Sequence, residues 1–301
     1  MDVLVFGAGS LGSLLGGLLA RDRDVTLVGR DPHVARVRED GLRITGAVEA
    51  RVRPEAVTAV ADGDGGTTDW DLAVVAVKAS DTDAAAAALA DCDLDACLSV
   101  QNGLGNEERL AAALDCPVLG GTCTYGARLA DPGRVECTGV GEVTLGPHEG
   151  GESAAAERVG AAFDDAGIET TVADDVPRRL WAKLAVNAGI NVATALADLP
   201  NGALLDGPAN DLARAAAREA ARVARAHGID LSDDEAVAAV ERVATDTADN
   251  VSSMRQDLQR GRRTEIDAIN GAVVERADEP VPVNETLTRL VRAWERERGL
   301  R

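Results

Sequence analysis

The residues best suited to do chemistry gather in Trp181 to Asn191, WAKLAVNAGIN, where an amine and two amides recur at intervals of four. At 100° per residue of helix, Lys183, Asn187 and Asn191 drift only ~80° around the axis over ~12 Å of its length, so their polar tips can converge on one small molecule. The residues between them are apolar or small. That spacing predicts a largely buried helix whose polar stripe must be answered either by a ligand or by the core and solvent. The lysine count favours the ligand. Of 31 basic residues only Lys78 and Lys183 are lysines, the rest being arginines. A guanidinium holds its proton too tightly to give it up near neutral pH, so a chain otherwise written with Arg keeps an ammonium where a proton must be donated.

Other elements must position that stripe. Asp2–Phe6 is a short apolar strand leading into GAGSLG, Gly7 to Gly12, and then into the helix-like SLLGGLLARD. Strand, GxGxxG and helix in succession are the context in which this motif signifies a dinucleotide site. Gly7 allows the tight turn, Gly9 the approach of a pyrophosphate and Gly12 close helix–strand packing. The backbone of Ala8, Ser10 and Leu11 completes the loop, and the positive end of the helix holds the phosphate charge. The next strand, Asp24–Val28, ends in Gly29 and Arg30. An Arg here suits a ribose 2′-phosphate and favours NADPH, whereas the neighbouring Asp31 keeps NADH open. Residues 42–60 alternate as an antiparallel pair or a further strand would. Asp62–Asp71 reads as an acidic, glycine-rich loop. The apolar strand Leu72–Lys78 and the strand Cys97–Gly105 bring Lys78 and Asn102 to carboxyl ends, where ligands of open α/β sheets bind. A helix at Thr82–Ala90, three strands within 117–146, a helix at Ser153–Ala166 and a strand at Ile168–Val172 complete the first domain.

From Asp174 the pattern is wholly helical. One helix starts with a proline near its first turn (Pro208 to His227), another opens with the capping-box sequence Ser232–Glu235, and a last one spans about Asn284 to Arg298. The fold class is therefore α/β: a Rossmann-type dinucleotide-binding domain at 1–172 followed by an all-helical substrate domain at 173–301.

The chain carries 51 acidic against 31 basic residues, a net charge of -20 spread along its length. No basic patch exists to release counterions, which argues against nucleic acid or an anionic membrane as partner. The acidic excess with almost no Lys fits high salt, where charge repulsion is screened. Five cysteines without a CxxC pair read as reduced, mostly buried residues of a cytoplasmic protein rather than as a metal site. His33, His148 and His227 lie far apart and are assigned no chemistry. The apolar faces of the C-terminal helices permit a homodimer.

These pieces together resemble the ketopantoate reductases over essentially the whole chain. The resemblance rests on GAGSLG with Arg30, on the VK ending at Lys78, on QNG around Asn102, and on KLAVNAGIN, NVSSMRQD and RRTEIDAINGAVV. It implies reduction of 2-dehydropantoate to (R)-pantoate with NADPH. Lys183 is then the general acid toward the ketone oxygen, Glu265 binds the substrate hydroxyl, and Ser253 meets the carboxylate. Asn187 and Asn191 meet other polar atoms, and Asn102 and Lys78 stand at the junction of cofactor and substrate. Two alternatives remain at this stage for Glu265 and the serine. Glu265 could be a first-turn helix residue capped by Thr264, and Ser252 could replace Ser253. Another 2-keto acid dehydrogenase and a non-catalytic NADP-binding sensor are the competing functions.

Overall fold

In the computed structural model, which describes residues 1–60 and 69–301, contacts divide the chain into two units. One comprises Met1–Gln101 and Asn106–Val176, the other Asn102–Gly105 and Pro177–Arg301. Most of the acidic loop read at Asp62–Asp71 lies outside the described residues.

The first unit opens with β1 (Asp2–Phe6), α1 (Ser10–Leu19), β2 (Asp24–Val28), α2 (His33–Asp40), β3 (Leu42–Gly46), β4 (Ala50–Val52) and β5 (Glu55–Val57). It continues through β6 (Asp69–Trp70), β7 (Leu72–Val75), α3 (Thr82–Leu89), β8 (Asp93–Leu94), β9 (Cys97–Ser99), α4 (Asn106–Ala111) and β10 (Val118–Cys123). It closes with β11 (Gly126–Asp131), β12 (Arg134–Gly139), β13 (Val143–Pro147), α5 (Ala154–Asp165) and β14 (Thr170–Val172). The main sheet has the order β14-β13-β10-β9-β7-β1-β2-β5. The six strands from β5 to β10 are mutually parallel, and β13 turns antiparallel to β10, carrying β14 with it. Strands buried on both faces must be apolar throughout. Val3 and Val5 of β1 enter one core and Leu4 the other; Leu72 and Val74 of β7 likewise part from Ala73 and Val75.

Residues 42–57 supply both structures their alternation allows. β3 and β4 pair antiparallel within a second sheet, β11-β12-β3-β4, while β5 joins the edge of the main sheet beside β2. This second sheet explains the apolar character of α1, buried from Gly12 to Leu19. A Cβ on Gly16 would stand 2.5 Å from Leu27 of the main sheet, and one on Gly17 would stand 2.9 Å from Leu42 and Ile44 of the smaller one. The paired glycines thus let one helix lie between two sheets. Several strands are shorter than their apolar runs. β7 stops at Val75, not Lys78, and β9 at Ser99, not Gly105, because the chain leaves the ladder there for turns. The run 117–129 breaks into β10 and β11 around Thr124 and Tyr125.

The second unit contains only helices among its described elements: α6 (Val176–Ala197, from Pro177 on), α7 (Gly207–Ala226), α8 (Asp233–Asp246), α9 (Ser253–Gln259), α10 (Asn270–Arg276) and α11 (Pro282–Glu297). The capping box at Ser232 and Glu235 is formed on both sides. α6 is long and apolar enough to cross a membrane by composition alone, yet 67% of that stretch is buried within the protein. Gly189 lets α7 approach: a Cβ there would be 2.8 Å from the Ala213 carbonyl oxygen. Trp181 stacks on His227 with centroids 6.0 Å apart.

The histidines serve the backbone. His148 and His227 contact the carbonyls of Val118 and Arg276 at 3.0 and 2.8 Å. The buried His33 accepts from the Gly133 N–H at Nδ1 and therefore donates from Nε2 to Ser13 Oγ. All five cysteines are free, but only Cys97 and Cys137 are buried, fewer than expected, because Cys92, Cys116 and Cys123 stand in partly open turns and strand ends.

Candidate active-site residues

The glycine loop is shaped by contacts that exclude side chains. Gly7, at φ +115°, adopts a conformation that other residues rarely take, and its N–H and that of Ala8 both donate to the Val28 carbonyl. A Cβ on Gly12 would lie 2.1 Å from the Gly7 carbonyl oxygen. Gly9 differs: it is exposed, and a Cβ built there meets nothing within 4 Å. The space beside it is open to a ligand, not filled by protein. Behind that space α1 begins with no side-chain cap and no acidic residue in its first turn, so its amide dipoles are left to an anion. Ser10 turns its hydroxyl away to accept from the Leu129 N–H at 3.0 Å, leaving its backbone for the loop together with that of Leu11. These features fit a dinucleotide pyrophosphate.

Arg30 follows β2 and Lys78 follows β7, the strands on either side of β1. The glycine loop, Arg30 and Lys78 therefore share the carboxyl edge of three adjacent parallel strands. There the connections diverge to opposite sides of the sheet, the usual place for a nucleotide. Arg30 is highly exposed and pairs with Asp81 at 3.4 Å. Asp31, the residue that kept NADH open, spends its carboxylate on the Ala35 N–H at 3.0 Å in the first turn of α2. Lys78 is half-buried at the start of a short 3₁₀ turn, Ala79–Asp81.

The second unit holds the remaining candidate residues. Lys183, Asn187 and Asn191 all lie on α6; the first two are half-buried and Asn191 is 7% exposed. Asn102 and Glu265, distant in sequence, meet directly: the Asn102 amide donates to Glu265 Oε2 at 3.0 Å. Gly103, at φ +91°, turns the chain so tightly against Ala268 that a Cβ would stand 2.5 Å from its carbonyl oxygen, and the Leu104 N–H donates to that same oxygen. Glu265 is not a first-turn helix residue. It opens a turn whose carbonyl accepts from Ala268 and Ile269, with α10 starting only at Asn270. The two serines also separate. Ser252 is buried, caps α9 through the Arg255 N–H and accepts from the Thr194 hydroxyl at 2.7 Å. Ser253 is exposed at the first position of α9.

Gln101 was not singled out by its chemistry, yet it anchors the chain beside Lys78. Buried, it donates to the Val77 carbonyl at 3.2 Å and to the Thr82 hydroxyl at 2.8 Å, so it ties the residue before Lys78 to the residue before Asn102. A polar residue at the end of an otherwise apolar strand was the available signal. No group of three or more His, Cys, Asp or Glu side chains suited to a metal occurs among the described residues.

Two family models match the chain. The model for ketopantoate reductase PanE/ApbA matches residues 3–150, and that for its C-terminal domain matches residues 175–295. The chain belongs to the ketopantoate reductase family. Within that family, a 2-dehydropantoate 2-reductase of Halobacterium salinarum is 46% identical, covering 99% of this chain and 100% of its own. A PanE/ApbA family ketopantoate reductase of Ralstonia eutropha JMP134 superimposes with a TM-score of 0.90 at 34% identity, covering 99% of this chain and 100% of its own. A D-mandelate dehydrogenase solved with NADH and anilino(oxo)acetate gives 0.91 at 26% identity, covering the whole of both chains.

Proposed function

We propose that this ketopantoate reductase family member reduces 2-dehydropantoate to (R)-pantoate with NADPH as hydride donor. The observation that carries the reading is the 46% identity, over essentially both full lengths, to the Halobacterium reductase. Bound NADPH supplies the hydride. The chain supplies the rest. The backbone from Gly7 to Gly12 and the α1 N-terminus hold the pyrophosphate, Arg30 faces the 2′-phosphate, and Lys78 and Asn102 meet the cofactor where it adjoins substrate. Engagement of Asp31 by α2 supports NADPH over NADH, since a carboxylate spent on a helix is not offered to a ribose hydroxyl.

In the second unit, Lys183 gives its proton to the ketone oxygen as negative charge develops there, and Glu265, oriented by Asn102, accepts from the substrate hydroxyl. Ser253 meets the carboxylate, a role supported by the commitment of Ser252 to Thr194 and α9. Asn187 and Asn191 bind the remaining polar atoms. Orienting the two reactants can lower the barrier by about 7–11 kcal/mol, and a positioned acid adds about 10²- to 10⁴-fold, so positioning is the larger contribution. Five free cysteines support a reducing, cytoplasmic setting. The net charge of -20 and the halobacterial relative support function in concentrated salt.

The D-mandelate dehydrogenase likeness favours one second reading, an NADH-dependent reductase of a bulkier 2-keto acid. Oxidation of NADPH and of NADH in molar KCl, with 2-dehydropantoate, 2-oxoisovalerate, 2-dehydropantolactone and the keto acid corresponding to mandelate, separates them. The proposal expects NADPH with 2-dehydropantoate to give the highest kcat/KM. A preference for the aryl keto acid with NADH establishes the second reading instead.

A further inference from the structure

The turn that carries Glu265 is pinned at both ends by buried side chains to which none of the roles above applies. At its front, Thr264 donates from its N–H at 2.8 Å and from its hydroxyl at 2.7 Å to one oxygen of Glu295, a residue of α11 with no exposed surface. At its back, Asn270 is equally buried and uses both protons of its amide. One goes to the Ala188 carbonyl of α6 at 3.1 Å, the other to Asn284 Oδ1 at 2.9 Å. Asn284 in turn donates to the Ala216 carbonyl at 3.0 Å and to Glu219 at 2.8 Å. Glu219 also accepts from the N–H groups of Val283 and Asn284 at the start of α11.

Ala188 directly follows Asn187 and lies midway along the stripe from Lys183 to Asn191. Its carbonyl already belongs to a helix, whose ladder needs no help from a side chain. Asn270 moreover leaves its own Oδ1 buried without a partner, which costs stability that an apolar residue of similar size would not lose. A costly amide at that point is best explained by the geometry it enforces.

We propose that Asn270 is a positioning residue: by tying the foot of the Glu265 turn to Ala188, its amide sets the separation of Glu265 from the stretch of α6 that bears Lys183 and Asn187. A substrate held at its hydroxyl by Glu265 then presents its ketone to Lys183. This inference rests on the substrate roles proposed above for those residues.

The test is a double-mutant cycle in molar KCl with Asn270→Ala, Glu265→Gln and the pair, read as KM and kcat for 2-dehydropantoate. NADPH affinity from nicotinamide fluorescence and the melting temperature are read alongside. Asn270→Ala is expected to lower kcat/KM about tenfold, the usual scale for a lost buried hydrogen bond, mainly through KM, with NADPH affinity unchanged. In the Glu265→Gln background its effect should largely vanish, as it does when two residues act through one contact. Additive losses, or a lower melting temperature with unaltered KM, overturn the inference while leaving the reductase reading intact. Wild-type protein that reduces none of the keto acids overturns both. Asn270→Ser, carried through the same cycle, decides the matter if Asn270→Ala does not fold.

Discussion

In the first unit the expected pyrophosphate meets a surface made of main chain, whereas in the second the expected substrate meets one made of side chains. Gly7, Gly9 and Gly12 act by lacking a Cβ, and the amides of α1 are available because nothing caps them. The candidates of the second unit, Lys183, Asn187, Asn102 and Glu265, offer side-chain tips instead, and the Asn102 amide holds the Glu265 carboxylate. The difference teaches how each half should fail. Losing a side chain from the second half removes chemistry and spares the fold, but adding one to the first half can damage both.

The sharpest test of that contrast is Lys183→Ala. It is expected to lower kcat by about two orders of magnitude or more, as loss of a general acid does, with NADPH binding and melting temperature near wild type. Near-normal turnover in stopped-flow or steady-state assays would remove Lys183 from the chemistry.

Within the first half, Gly9→Ala and Gly12→Ala should part company. A Cβ at Gly12 collides with backbone, so that variant should lose stability on the scale of about 1–3 kcal/mol typical of overpacking, together with cofactor affinity. A Cβ at Gly9 enters open space, so the melting temperature should hold while NADPH affinity falls. Calorimetry and fluorescence titration on the same samples read both outcomes, and a destabilised Gly9→Ala protein would contradict the open cradle.

The smallest expected effect concerns scaffold alone. Burial lowers the pKa of His33 below its ordinary 6.5, so the folded protein binds this proton less readily than the unfolded chain. The associated stability is present above about 6.5 and is lost as the pH falls from there toward the depressed folded value. Thermal melts of wild type and His33→Gln between pH 8 and 5 should therefore diverge at the high end and converge toward the low. A constant difference would mean that the Ser13 and Gly133 contacts do not depend on the proton.

Much of this was legible in the residues because the relevant forces are local. The apolar run before GAGSLG, the capping box at Ser232 and the proline opening α7 each depend on a few neighbours, and the polar stripe of α6 follows from helical period alone. Strand ends were less legible. β7 and β9 stop before Lys78 and Asn102, since an apolar run records burial and not pairing.

The sequence by itself marked the candidate residues: a lysine kept among arginines, glycines at loop spacing and amides four apart are properties of residue type and local period. Tertiary structure alone decided their partners. It gave Ser252 to Thr194, Asn102 to Glu265 and Asn270 to Ala188. Each of those three bonds joins residues dozens of positions apart, and only the packing of helices and turns against one another brings such groups within hydrogen-bonding reach.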